Sequence, residues 1–136
     1  MPLLVDAGVL YAMVDRHDAW HAPVVEYLKE LGGASLLAPV TIVPEVAYLV
    51  RTRLGGAAEL KLIEGFVNGG VAIEPLKAVD LSRAFELMAK YPQLGFADST
   101  VVAMAERLVL TTIATPDRRH FRIVRPAHVK QFTLVP

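Results

Sequence analysis

Four acidic side chains stand where the surrounding sequence is apolar. Asp6 directly follows an apolar run, Glu45 interrupts one, Asp98 precedes one and Asp117 follows one within four residues. Desolvating an ionised carboxylate costs free energy unless it is paired or binds a metal. No lysine or arginine lies close in sequence to Asp6 or Asp98. A divalent cation shared by the four acids is therefore the economical explanation.

Such a carboxylate cluster could hydrolyse a phosphodiester bond. Oxygen ligands without thiols favour Mg²⁺ or Mn²⁺ over zinc, and the chain has no cysteine. One or two ions of this kind can deprotonate water and neutralise charge on a phosphoryl oxygen. Thr115 and Ser99 add hydroxyls that could orient a carboxylate or a water. Turn and helix-cap chemistry is the alternative for both, and it is preferred for Ser99.

The acids must be positioned by short apolar strands that alternate with helices. This alternation predicts an α/β domain spanning residues 1–136, with three layers and a mainly parallel sheet of four to five strands. Thr41 is the predicted cap of the helix that carries Glu45. The strands are predicted at about 3–5, 35–38, 71–73, 108–113 and 132–135, and the helices at about 7–13, 19–31, 41–54, 57–67, 80–90 and 97–107.

This topology predicts that the acids converge. Ligand sites of open parallel sheets lie beyond the carboxyl ends of the strands. Asp6 and Asp117 follow such ends, and Asp98 stands near the start of its helix. Glu45 shares a helical face with Ile42 and Leu49, so it is expected to point inward.

Composition and charge add expectations about partners. Apolar residues make up 54% of the chain, above the usual range of about 45–50%, which suggests a further buried surface such as a homodimer interface. Residues 118–136 hold five basic side chains and no acid. Among them, Arg118, Arg119 and Arg122 could bind phosphates, and a solvated surface is the alternative. No targeting segment or membrane span is expected, and the absence of cysteine is compatible with a reducing cytoplasm.

The ordered motifs resemble PIN-domain nucleases, in particular the VapC-like ribonuclease toxins of toxin–antitoxin pairs. The matching stretches are Leu4-Val5-Asp6-Ala7, Pro44-Glu45-Val46, Gly95-Phe96-Ala97-Asp98-Ser99 and Thr115-Pro116-Asp117-Arg118-Arg119-His120-Phe121. The resemblance implies a PIN-like fold in which the four acids bind the metal and Thr115 supplies a hydroxyl ahead of the last acid. It also implies a cytoplasmic RNA-cutting enzyme that forms a homodimer and is inhibited by a small cognate antitoxin.

One departure and two alternatives accompany this resemblance. Many members carry Ser or Thr two residues after the first Asp, where this chain has Gly8. The absence of this hydroxyl is expected to affect the cleavage rate more than the type of reaction. A non-catalytic PIN-like module that binds RNA or protein is one alternative. A receiver-type phosphoacceptor domain is the other, although Asp6 stands alone where such domains carry an acidic pair. Trp20 is interpreted as a core or interface residue rather than a base-stacking group.

Overall fold

Five short parallel strands form the centre of the fold in a computed structural model that describes residues 1–136. Their order across the sheet is β3-β2-β1-β4-β5, and every neighbouring pair is parallel. The predicted α/β class and strand number are confirmed. The strands are β1 (Leu3–Val5), β2 (Leu36–Pro39), β3 (Val71–Glu74), β4 (Thr112–Ala114) and β5 (Thr133–Val135).

Seven helices cover the sheet in two groups, which gives the predicted three layers. Helices α1 to α4 pack on one another, and α5 to α7 form a second packed group. None of the helices combines the length and the apolar character needed to cross a membrane. The helices are α1 (Ala7–Val14), α2 (His21–Glu30), α3 (Val43–Leu54), α4 (Gly56–Val67), α5 (Ala78–Lys90), α6 (Phe96–Leu108) and α7 (Arg118–Ile123).

The core lies where the two central strands meet the helices. Leu4, Val5 and Ile113 of β1 and β4 are completely buried, as expected for strands covered on both faces. The buried faces of α3 and α6 close the core from the two layers, with Val46 and Val102 among the residues without exposed surface. Burial of this kind is the main free-energy source for a domain of this size.

Two local predictions are wrong, and one helix was not predicted. The predicted strand 108–113 begins only at Thr112, because α6 continues to Leu108 and ends at Val109 in the left-handed conformation (φ 56°). Thr41 does not cap α3. It lies in a short 3₁₀ helix before α3, and its hydroxyl oxygen lies 2.6 Å from that of Thr100. Helix α7 was not predicted, since six residues are too few to show helical periodicity.

The strand order creates a crevice between β1 and β4. From β1 the chain turns into α1 and moves toward β2, whereas from β4 it turns into α7 and moves toward β5. The two connections lie in different helical layers. At such a switch point the loops after the two strands separate and leave room for a ligand. Asp6 and Thr115 are the first residues after these two strands.

Candidate active site

Asp6 is a buried carboxylate that forms the N-cap of α1. Its Oδ1 accepts a hydrogen bond of 2.9 Å from the Val9 amide, and its Oδ2 accepts one from the Thr115 hydroxyl. Only 6% of the residue is exposed. Burial raises the pKa of Asp6 from 3.8 to about 7, against the lowering effect of the two hydrogen bonds, and the charges of Asp98 and Asp117 raise it further. This acid is therefore costly to ionise without a cation.

Thr115 connects Asp6 to the segment that carries Asp117. The residue is completely buried at the end of β4. Besides donating to Asp6, its Oγ1 accepts a hydrogen bond of 2.9 Å from the Asp117 amide. One hydroxyl thus fixes the orientation of the first acid and the backbone of the last. This is the orienting role that the sequence suggested for Thr115.

Asp98 and Asp117 share a partner that the sequence analysis missed, His120. Its Nδ1 lies 3.2 Å from Oδ2 of Asp98 and 3.1 Å from Oδ2 of Asp117. Desolvation raises the pKa of Asp98, the bond and charge of His120 lower it, and the charge of Asp117 raises it. The sequence signal was the spacing of three residues between Asp117 and His120, which brings side chains together within one helical turn.

Glu45 is at the rim of the site, on the helical face that it was predicted to share with Ile42 and Leu49, and all three residues line one cleft. Its side chain is nevertheless not buried. The buried stripe of this region is Ile42, Val46 and Val50, spaced by four residues, and Glu45 precedes Val46 by one position, so it turns away from the core. The residue is exposed. The pKa of its carboxyl is still raised, first by partial desolvation and then by the charge of Asp98. Glu45 therefore faces the same space as Asp98.

All four predicted acids line a single cleft of about 310 Å³, here called the acidic cleft. Pro116, His120 and Leu49 are also on its wall, and it contains no lysine or arginine. The acids converge because the carboxyl ends of β1 and β4 lie close to the first turns of α3 and α6 at the switch point.

The donor set of the acidic cleft fits a hard divalent cation, although its coordination geometry is not formed. No three His, Cys, Asp or Glu side chains are arranged to hold one metal ion. Instead, both oxygens of Asp6 accept hydrogen bonds, and His120 bridges two other acids. Four carboxylates in one cleft without a lysine or arginine on its wall are nevertheless the chemistry that Mg²⁺ or Mn²⁺ satisfies.

Gly8 is explained by its contact with Pro116. A Cβ atom at position 8 would lie 2.8 Å from Cγ and 3.0 Å from Cδ of the Pro116 ring. These distances leave no room for a side chain unless the ring moves. The Pro116 ring therefore occupies the space that a side chain at position 8 would need, and the hydroxyl that donates a hydrogen bond to Asp6 is that of Thr115.

The three arginines that were predicted to bind phosphates all belong to helix α7. They are Arg118, Arg119 and Arg122, here called the α7 arginines. Arg118 and Arg119 line an open hollow of about 450 Å³ together with Trp20, Pro116 and Asp117, here called the Trp20 hollow. Arg122 is exposed and lines neither the hollow nor the acidic cleft. The structure thus brings two of the three arginines next to Asp117.

The family of this fold follows from comparison with known proteins. The PIN domain family model matches residues 3–126. The chain belongs to the PIN-domain family. Within the PIN domains it is VapC-like, being 33% identical to ribonuclease VapC26 of Mycobacterium tuberculosis over 98% of this chain and all of the relative.

Solved PIN-domain structures have the same fold at low sequence identity. The M. tuberculosis VapC20 toxin, which cleaves the sarcin–ricin loop, superposes with a TM-score of 0.75 at 17% identity, over 82% of this chain and 86% of that one. The FitAcB structure from Neisseria gonorrhoeae gives 0.71 at 19% identity, over 100% and 97%. VapBC2 of Rickettsia felis, bound to a promoter DNA fragment, gives 0.69 at 15% identity, over 98% and 97%. The predicted family resemblance and three-layer PIN fold are confirmed.

Proposed function

We propose that this VapC-like PIN domain, spanning residues 1–136, is a divalent-metal-dependent endoribonuclease of the cytoplasm and the toxin of a toxin–antitoxin pair. The observation that carries the proposal is Asp6, a buried carboxylate that shares one cleft with three other acids. Ionising such a group without a cation is unfavourable. The similarity of this chain to ribonuclease VapC26 supports RNA as the substrate.

The metal would be held by Asp6, Glu45, Asp98 and Asp117, and Mg²⁺ or Mn²⁺ suits their oxygen ligands. When bound, such an ion supplies an activated water and neutralises charge on the phosphoryl oxygen. Of the four acids that line the acidic cleft, Asp6 is the most buried and Glu45 is the exposed one. The four acids therefore offer oxygens at different depths to an ion and a phosphate entering from solvent.

Neighbouring side chains position the acids and the RNA. Thr115 orients Asp6 through its hydroxyl, and His120 holds the carboxylates of Asp98 and Asp117 near each other. The α7 arginines provide positive charge for phosphates outside the acidic cleft. Arg118 and Arg119 line the Trp20 hollow beside Asp117, which supports a strand that crosses α7 and presents one phosphate to the acids.

The proposed protein partners are a small cognate antitoxin and a second copy of this chain. Two relatives of the same fold come from structures whose names pair a toxin with its antitoxin, VapBC2 and FitAcB. On α5 an exposed apolar stripe at helical spacing, Leu81, Phe85 and Met88, supports a homodimer. These three side chains are 50%, 75% and 39% exposed.

A cleavage assay with matched variants tests the proposed activity. We expect purified protein to cut structured RNA in Mg²⁺ or Mn²⁺ and to stop in EDTA. Asp98→Asn should abolish cleavage, because this carboxylate faces the acidic cleft, whereas Glu64→Gln on the exposed side of α4 should leave cleavage unchanged. Cutting that continues in EDTA, or that Asp98→Asn does not diminish, would refute the proposal.

A non-catalytic module that binds RNA or protein is the second candidate. One observation favours it, namely that the Nδ1 atom of His120 lies within 3.2 Å of Asp98 and 3.1 Å of Asp117, so that two of the acids already have a protein partner. RNA binding without cleavage in Mg²⁺ and Mn²⁺ would select this candidate. The receiver-type alternative is disfavoured, because no lysine lines the acidic cleft.

A further inference from the structure

We propose that the Trp20 hollow is a nucleobase subsite, in which a base of the RNA next to the cleaved phosphate stacks on the Trp20 ring. The juxtaposition that carries the proposal is an indole, two guanidinium groups and one acid of the acidic cleft around one hollow. The inference rests on RNA being the substrate, as proposed above, and it adds where a base is bound.

The hollow and the acidic cleft are neighbours that share a wall. Pro116 and Asp117 line both of them. A strand with one phosphate at the acids therefore has its adjacent nucleotide at the hollow. The hollow is open and, at about 450 Å³, larger than the acidic cleft, so a flat base can enter from solvent. The subsite and the acids would thus bind consecutive parts of the same strand.

Trp20 is held firmly enough to act as a stacking surface. It is half-buried, and its inner part packs against the hydrophobic core. Its backbone amide donates a 2.9 Å hydrogen bond to Oδ2 of Asp18, which fixes the turn before α2. Stacking on a ring that is already ordered loses little conformational entropy. The interpretation of Trp20 as a core or interface residue therefore accounts for its buried part, while the same residue also lines the hollow.

The two guanidinium groups of the hollow favour a nucleotide over a peptide. Neither Arg118 nor Arg119 belongs to any ion pair of the protein, so both are free to bind phosphates or to stack on a base. Apart from Trp20 and Pro116, the wall of the hollow is charged. An apolar peptide side chain would desolvate these charges without pairing them, whereas RNA pairs the cations and stacks on the ring.

Fluorescence of Trp20 tests the subsite directly, because it is the only tryptophan of the chain. The probe is a single-stranded RNA hexamer, compared with an abasic hexamer of equal charge, in EDTA so that no metal-dependent cleavage occurs. We expect the base-containing RNA to quench Trp20 and shield it from acrylamide, and the abasic strand to do neither. Loss of one stacked base should raise Kd roughly 5- to 150-fold.

Variants separate the ring from the packing of Trp20. Trp20→Leu should bind the hexamer as weakly as wild type binds the abasic strand, and Trp20→Phe should retain most of the affinity. Phe66→Leu is the matched control, since it exchanges another half-buried aromatic side chain that packs against the core, on α4 and outside both the hollow and the acidic cleft. Binding is measured by anisotropy of a labelled RNA, so that variants without tryptophan remain visible.

Three results would overturn the subsite. They are equal binding of the two hexamers by wild type, unchanged binding by Trp20→Leu, and unaltered Trp20 fluorescence in a saturated complex. The wild-type measurements keep the test decisive if Trp20→Leu does not fold. RNA that binds through Trp20 but is never cut in Mg²⁺ would refute the nuclease proposal and leave the subsite standing. Cleavage that is unaffected by Trp20→Leu, together with equal binding of both hexamers, would refute the subsite alone.

Discussion

Replacing Asp6 by asparagine should make the metal-free protein more stable while removing its activity. The substituted amide can keep both hydrogen bonds of the carboxylate. Its oxygen can accept from the Val9 amide, and its NH₂ group can donate to Oγ1 of Thr115, whose hydroxyl then turns to the Asp117 carbonyl oxygen 3.2 Å away. The substitution therefore removes mainly a buried charge.

The size of the effect follows from the pKa of Asp6. Burial raises it from 3.8 to about 7, a difference of about three pH units, each worth about 1.4 kcal/mol. Because the folded pKa lies above the unfolded one, the ionised carboxylate opposes folding. This penalty is complete above about pH 7, fades as the pH falls, and is absent below about pH 4. In EDTA at pH 8 the free energy of unfolding of Asp6→Asn should exceed that of wild type by about 2–4 kcal/mol.

Urea unfolding in EDTA at pH 8, 6 and 4 measures this difference. The two proteins should converge at pH 4, and magnesium at pH 8 should stabilise wild type more than the variant. Asp15→Asn is the control at the other end of α1. The Tyr11 hydroxyl holds the pKa of Asp15 below its usual value, so this change should not stabilise the protein. An Asp6→Asn protein that is less stable than wild type at pH 8, or a difference independent of pH, would refute the reasoning.

Three further predictions concern the surroundings of the acidic cleft. His120→Ala removes the donor shared by two acids, so in EDTA it should lower the free energy of unfolding by about 1–2 kcal/mol. Magnesium should then raise the Tm of the variant more than that of wild type. An unchanged Tm in EDTA would contradict this prediction. Changing the α7 arginines to glutamine should lower RNA affinity and make the plot of log affinity against log salt concentration shallower by roughly 0.7 per lost contact. Lys61→Gln on α4 should change neither. An unchanged slope would mean that these arginines form only a solvated surface. Sedimentation at micromolar concentration should show a dimer that Phe85→Glu dissociates, and a monomeric wild type would contradict the homodimer.

The sequence allowed prediction of the sheet and of the acids at its edge, because both depend on local patterns. An apolar run followed by a carboxylate marks the end of a buried strand, as for Asp6, and the alternation of strands and helices determines which edge the acids share. The run from Leu108 to Ile113 gave a wrong boundary. Apolar residues are equally compatible with the last turn of a buried helix and with the first residues of a buried strand. Only packing against the core determines where the helix ends and the strand begins.

The rest of the site depended on contacts that no local pattern reveals. His120 bonds to Asp98, which is 22 residues away, from a helix too short to predict. Glu45 lines the cleft on the face predicted from its spacing to Leu49, but its exposure was not predicted, because the buried stripe runs one position later, through Val46. Trp20 meets the loop after β4 only because the fold brings two distant segments together.

The magnesium dependence of single-turnover RNA cleavage tests the central claim most directly, because it measures activity and metal requirement together. Glu45 is the residue to vary, since it is exposed and Glu45→Gln should not disturb the core. Loss of a group that only supports a metal ligand costs about 10–100-fold. If the four acids hold the ion, Glu45→Gln should raise the half-saturating magnesium concentration at least about tenfold, while Glu64→Gln should match wild type. Cleavage that needs no magnesium, or a Glu45→Gln curve identical to wild type, would contradict the shared-ion account.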